Sequence, residues 1–168
     1  MLNNLYFAKG GETVAMSELL LRGYNVAIPS VDIGDDIYVV EDAESNLIRV
    51  QVKSANCKER PYGFIGQVRV RLKQVKESKR TKLVYVFSLR FEDRWHFIVI
   101  SRDRLEEEVD IHDIGTKYKD DISFTFRFRK ESGELLCSSR DLSQYLSWEG
   151  LFPGILGKVA TATLRDEG

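Results

Sequence analysis

Residues 34–54, GDDIYVVEDAESNLIRVQVKS, constrain this chain more than any other stretch. Asp35 and Asp36 precede the apolar run Ile37, Tyr38, Val39, Val40; residues 42–46 are rich in types that favour chain reversal, and residues 47–53 resume β-branched positions. The pattern predicts two strands joined by a polar turn. Side chains alternate along a strand, so Ile48, Val50 and Val52 take one face while Arg49, Gln51 and Lys53 take the other. An acid heading one strand therefore faces an amide and an ammonium on its neighbour, a poor surface for a purely structural hairpin.

That grouping suits a hard cation held beside a phosphate. Carboxylate and amide oxygens ligate such an ion, and a lysine meets the anion or the attacking water. Asp36 followed by Gln51-Val52-Lys53 resembles the PD-(D/E)XK nuclease superfamily, in the variant where glutamine replaces the first acid of the E-x-K element. The resemblance extends to Gly11-Glu12, which is similar to the start of the helix that carries a site glutamate in Holliday-junction resolvases and related nucleases. By the residues alone, Asp35 and Asp36 differ by one step of register. The family pattern selects Asp36, the acid immediately before the apolar strand.

Upstream, Gly10 and Gly11 predict a turn after a short lead in which Leu5, Tyr6 and Phe7 pack as an edge or cap. Good helix formers follow, and Glu12, Ala15, Met16, Leu19, Leu20 and Gly23 fall on one helical stripe. Glu12 at its head either favours the positive end of the helix dipole, worth about 0.3–1 kcal/mol, or joins the site as a fourth residue.

The chain of 168 residues has a net charge of −1, but the charge is segregated. Residues 1–48 carry 2 basic and 8 acidic residues, residues 49–104 carry 15 and 5, and residues 105–168 carry 8 and 13. The basic block follows the proposed metal strand, where a polyanion would lie. Residues 67–73 alternate Val68, Val70 and Leu72 with Gln67, Arg69, Arg71 and Lys73, and we assign Arg69, Arg71 and Lys73 to contacts with the nucleic-acid backbone. The bland alternative is a solvated basic face. No apolar run reaches the roughly 20 residues of a membrane span, and two cysteines, Cys57 and Cys137, suggest neither a disulfide framework nor a zinc site. A cytoplasmic protein with reduced thiols is the expectation.

Elsewhere, residues 24–28 form a short strand, residues 83–89 a buried central strand and residues 95–100 its partner. Ser101 caps a helix over residues 102–109. Residues 74–82 show only a weak helical spacing where the superfamily core has a helix. Phe124, Phe126 and Phe128 alternate with arginines and either pack in the core or stack on bases. Asp141 caps a helix through Glu149, and residues 151–157 form an apolar loop. His96 and His112 sit in no ligand spacing.

The resemblance implies an α/β fold of the restriction-endonuclease type, a central mixed β-sheet flanked by helices (αβββαβ) with an extra C-terminal strand and helix. One nuclease-like domain would span residues 1–168, its core about 10–105 and its C-terminal elaboration 106–168. It further implies magnesium or manganese held by Asp36, Gln51, the Val52 carbonyl and Glu12, with Lys53 orienting water and stabilising charge. The function expected is metal-dependent endonucleolytic hydrolysis of phosphodiester bonds in DNA, with branched or foreign DNA as the candidate forms and RNA left open as an alternative. Two copies are expected, since cutting two strands favours two sites related by symmetry. The alternative is a nuclease-fold module without turnover that binds nucleic acid or a protein, because Gln51 brings no negative charge to a metal.

Overall fold

In the computed structural model, which describes residues 2–30, 34–41, 46–77 and 81–154, the chain begins with helix α1, Leu2–Leu21. The helix runs straight through Gly10 and Gly11, where sequence reasoning expected a turn. Glycine weakens a helix by about 1 kcal/mol relative to alanine, and packing explains why one is used here. A Cβ on Gly11 would lie 1.9 Å from Ser54 Oγ and 2.8 Å from Ser54 Cβ, so the missing side chain lets the helix backbone lie directly on a strand.

That strand is β3, Asn46–Asn56, in a five-stranded mixed sheet with β1 (Asn25–Ala27), β2 (Ile37–Glu41), β6 (Leu83–Phe91) and β7 (Arg94–Ser101), in the order β1-β2-β3-β6-β7. The predicted hairpin is present as the antiparallel β2 and β3, in register from Ile37 opposite Val50 to Glu41 opposite Asn46. Its turn, residues 42–45, lies outside the described residues, as do residues 31–33, 78–80 and 155–168, and with them Asp32 and residues 155–157 of the apolar loop. β3 and β6 are parallel, and a parallel pair requires a long crossover. The crossover here is β4 (Lys58–Arg60), β5 (Gly63–Arg71) and the short helix α2 (Leu72–Lys76).

β4 continues β3 after Cys57 but pairs in a different sheet. The second sheet joins β4 and β5 to β9 (Asp121–Arg129), β10 (Leu135–Cys137) and β11 (Arg140–Asp141), with β8 (Thr116–Tyr118) pairing β9. One chain segment therefore turns the corner between two packed sheets, a common device where sheets cross. Between the sheets, Tyr85, Phe87 and Leu89 of β6 meet Phe124 and Phe126 of β9, with Leu105 and Val109 of helix α3 (Arg102–Ile111). On the other face of the first sheet, Ala15 and Leu19 of α1 cover Val50, Val52, Val84 and Val86 together with Trp148 and Phe152. Burial on both faces is why β6 reads as a nearly unbroken apolar run.

Three local readings are decided. Phe124 and Phe126 are 0 % and 2 % exposed and pack in the core, one of the two places the sequence offered them. Asp141 ends β11, and the segment after it forms a single 3-10 turn at Ser143–Leu146 instead of a longer helix, Asp141 accepting a hydrogen bond from the Ser143 amide at 2.8 Å. Of the ambiguous residues 74–82, the first three lie in α2, which begins at Leu72 inside the stretch read as strand and is ended by Glu77 donating back to the Lys73 carbonyl. The α3 cap is as expected, with Ser101 Oγ accepting from the Arg104 amide at 3.3 Å. Among the described residues no helix is long and apolar enough to cross a membrane.

Candidate active site

β2 begins at Ile37, whereas β3 runs on past Val50, so residues 51–56 of β3 have no partner strand on that side among the described residues. Asp36 sits where the two strands part. Its amide donates to the Val50 carbonyl at 2.9 Å, and its Oδ2 accepts from the Val52 amide at 2.7 Å. In a strand the N–H and C=O of one residue project to the same side. The Val52 carbonyl therefore opens onto the same edge as the Asp36 carboxylate.

The two neighbouring aspartates have different roles. Asp35 is 5 % exposed and holds Arg49, itself 8 % exposed, with Nη1 3.2 and 3.3 Å from its two carboxylate oxygens. Arg49 also donates from Nη2 to the Thr81 carbonyl at 3.3 Å. A buried ion pair of this kind belongs to the frame of the site.

Gln51 is 2 % exposed, and its Oε1 has no hydrogen-bond partner. Gly34 makes room above it: a Cβ there would meet Gln74 Nε2 at 2.3 Å and Gln51 Nε2 at 3.7 Å, and the φ of +94° is one that side-chain-bearing residues rarely adopt. Tyr85 lies beside Gln51 across the parallel β3–β6 pair. Its hydroxyl is likewise buried and unpartnered, and burial pushes its pKa upward. Arg49 Nε, two residues before Gln51 on β3, is buried without a partner as well. Lys53 follows Gln51 on the same face and is half-buried.

Glu12 approaches from the other face. α1 packs on the side of β3 that carries Val50 and Val52, whereas Gln51 and Lys53 point toward the second sheet. The Asp36 carboxylate, at the strand edge, lies between these two sides. Glu12 is bound to Lys9 at 2.7 Å. Lys9 has its pKa raised first by that hydrogen bond, then by the Glu12 charge and, against a small burial effect, by the charge of Asp36. Sequence reasoning missed Lys9, although its spacing of three from Glu12 on a helix is a readable pairing signal. It also missed the Val52 amide, Gln74 and Tyr85, none of which carries a sequence signature.

Among the described residues, no three histidine, cysteine, aspartate or glutamate side chains group closely enough to hold a metal ion. An ion at this edge would depend on an amide and backbone oxygen as well as on carboxylate. From the edge a groove of about 720 Å³ runs between Asn4, Phe7 and Ala8 of α1 and Ser54, Asn56, Lys58, Arg60 and Gln67 of β3, β4 and β5. Arg69 and Arg71 are exposed on β5, and Lys73 on α2 is paired with Glu77 at 3.3 Å.

The architecture is shared with a solved endonuclease. The similar structure is that of a bacterial homing endonuclease, I-Ssp6803I, with a TM-score of 0.54 and 18 % sequence identity over 92 % of this chain and 95 % of that one. At this identity the likeness is one of fold. No protein-family model matches the sequence, and no curated protein matches it.

Proposed function

We propose that this chain is a metal-dependent endonuclease that hydrolyses phosphodiester bonds in DNA, a member of the PD-(D/E)XK superfamily with glutamine in place of the first acid. The observation that carries the reading is the Asp36 carboxylate fixed at 2.7 Å on the Val52 amide, next in sequence to Gln51, whose Oε1 is buried and unpartnered. Carboxylate, amide oxygen and backbone carbonyl are all hard oxygen donors, the set that magnesium or manganese prefers. The orphaned Gln51 oxygen fits such an ion, because a buried acceptor without a partner is otherwise unfavourable by about 1–3 kcal/mol.

Asp36 and Gln51, with the Val52 carbonyl, are the residues that would hold the ion. When bound, a divalent ion supplies a water of lowered pKa and a clamp on the phosphate oxygens. Asp36 contributes the negative charge, oriented by the Val52 amide. Lys53 meets the anionic phosphate and offsets the charge that grows on its oxygens. Lys9 pairs with Glu12, the second carboxylate, which would reach the ion directly or through a water. Arg69, Arg71 and Lys73 hold the DNA backbone. Two copies acting together would cut both strands.

The test is cleavage of supercoiled, linear and four-way-junction DNA with magnesium or manganese, wild type beside Asp36→Ala. Cleavage by wild type alone supports the proposal, and the preferred substrate separates junction resolution from general cutting. A second reading, a fold retained for binding without turnover, is favoured by one observation: Glu12 is already tied to Lys9, leaving Asp36 as the acid at the edge. DNA binding without cleavage of any substrate would select it.

A further inference from the structure

Alternation along the second sheet buries Phe64, Val68, Val70, Phe124 and Phe126 against the first sheet and turns the intervening residues outward. The strand register shows what these outward positions share. Lys58 of β4 stands opposite Ile65 of β5, which stands opposite Arg127 of β9. One step along, Arg60 and Arg129 flank Gly63, and in the other direction Arg69 stands opposite Ser123. Arg71 faces Asp121, the one acid among these paired outward positions of β4, β5 and β9.

The cations are largely uncompensated. Among the described residues, Lys58, Arg60, Arg69, Arg71 and Arg127 form no ion pair with a carboxylate; Arg60 and Arg127 donate only to the Glu59 and Ser138 carbonyls, at 3.3 and 3.4 Å. Arg129 alone is matched, by Glu134 at 3.2 Å. Residues two apart on a strand lie about 7 Å apart and neighbouring strands about 4.8 Å apart. Like charges at such spacing repel, and a ligand dense in negative charge relieves the repulsion.

The face also borders the open strand edge. Ile65 and Gln67 line the groove together with Ser54 and Asn56, and at its other end β5 runs into α2, whose Gln74 lies against Gly34. β5 thus runs alongside the edge that carries Asp36 and Val52.

We propose that the outer face of the second sheet is a docking platform for duplex DNA, with Lys58, Arg60, Arg69, Arg71 and Arg127 neutralising backbone phosphates. A duplex carries one negative charge per about 1.7 Å of axis, ample to offer a phosphate to each of these more widely spaced cations. The choice of duplex DNA as occupant rests on the endonuclease reading; the phosphate-binding role rests on the cations alone.

The experiment measures affinity of the full chain for a fluorescent 30-base-pair DNA duplex in EDTA, where turnover is silent, over a range of potassium chloride concentrations. Wild type is compared with Arg69→Gln/Arg71→Gln, Lys58→Gln/Arg127→Gln and, as an off-face control, Arg104→Gln, with circular dichroism confirming the fold. Each phosphate contact contributes about 0.9 to the slope of log affinity against log salt. Each double variant should therefore lower the slope by about 1.8 and weaken binding at least about tenfold at low salt, while the control matches wild type. Slopes for the double variants equal to wild type would overturn the proposal, as would failure of wild type to bind the DNA duplex while binding an RNA duplex. Intact binding with no cleavage when metal is restored removes the endonuclease reading and leaves the platform standing.

Discussion

Asp36 and Val52 meet through a carboxylate oxygen and a backbone amide 2.7 Å apart, at the residue where β2 parts from β3. The contact gives Asp36 a structural role beside the chemical one proposed for it, and the two separate by substitution. Asp36→Asn keeps an oxygen for the Val52 amide and removes the charge. Both Asp36→Asn and Asp36→Ala should lose cleavage by about a thousandfold or more, while only Asp36→Ala loses the hydrogen bond, worth about 1 kcal/mol. Cleavage rates and urea denaturation of the pair check this; full activity in Asp36→Asn would remove Asp36 from the chemistry.

Asp35, one residue earlier, behaves oppositely. Its removal leaves the Arg49 guanidinium buried without its carboxylate, a change worth about 3–5 kcal/mol. Asp35→Ala should unfold at markedly lower denaturant than Asp36→Ala. Asp35→Ala/Arg49→Ala should be less destabilised than the two single changes added together. Equal stability of the two single aspartate variants would contradict this division of roles.

Gly10 and Gly11 make a third comparison. The nearest atom to a Cβ on Gly10 is a Trp95 ring carbon at 3.9 Å, so Gly10→Ala should stabilise by up to about 1 kcal/mol. Gly11→Ala drives into Ser54 and should destabilise, and adding Ser54→Gly should restore much of the loss. Thermal melts of the three variants decide it.

The C-terminal segment is clamped to α1 by Arg22, whose Nη1 lies 2.6 Å from Glu149 Oε1. That hydrogen bond, helped by the Gly154 amide, lowers the Glu149 pKa below its usual 4.5. A folded value below the unfolded one means the stabilisation is complete above about pH 4.5 and is lost as pH falls through the folded value. In a Trp95→Phe background, Trp148 emission should report loosening of the clamp on acidification, and Glu149→Gln should lack this step. An identical pH profile in the two proteins would rule out the clamp.

The hairpin was readable because period-two alternation and an acidic strand head are local signals, and Gln51 and Lys53 follow from alternation alone. The path of α1 was not, because only the position of Ser54, distant in sequence, explains why Gly11 is glycine inside a helix. The second sheet was legible strand by strand, in Val68 and Val70 and in the phenylalanines of β9. Its pairing was not, since Arg127 meets Ile65 and Lys58 only through register across separate segments. Glu12 shows the limit most clearly: its stripe faces the sheet as expected, but on the face of β3 opposite Gln51, a distinction that a helical wheel cannot make.

The stretch of β3 beyond Val50 has a further consequence. A strand with one side unpaired is a template on which another chain can zip its own backbone, the first step toward aggregation. Asp36 occupies the Val52 donor with an anion, and Lys53 adds a charge beside it. The arrangement that would draw a cation and a phosphate to this edge therefore also makes it inhospitable to a second strand, so that keeping the molecules apart and equipping the edge for chemistry rest on the same side chains.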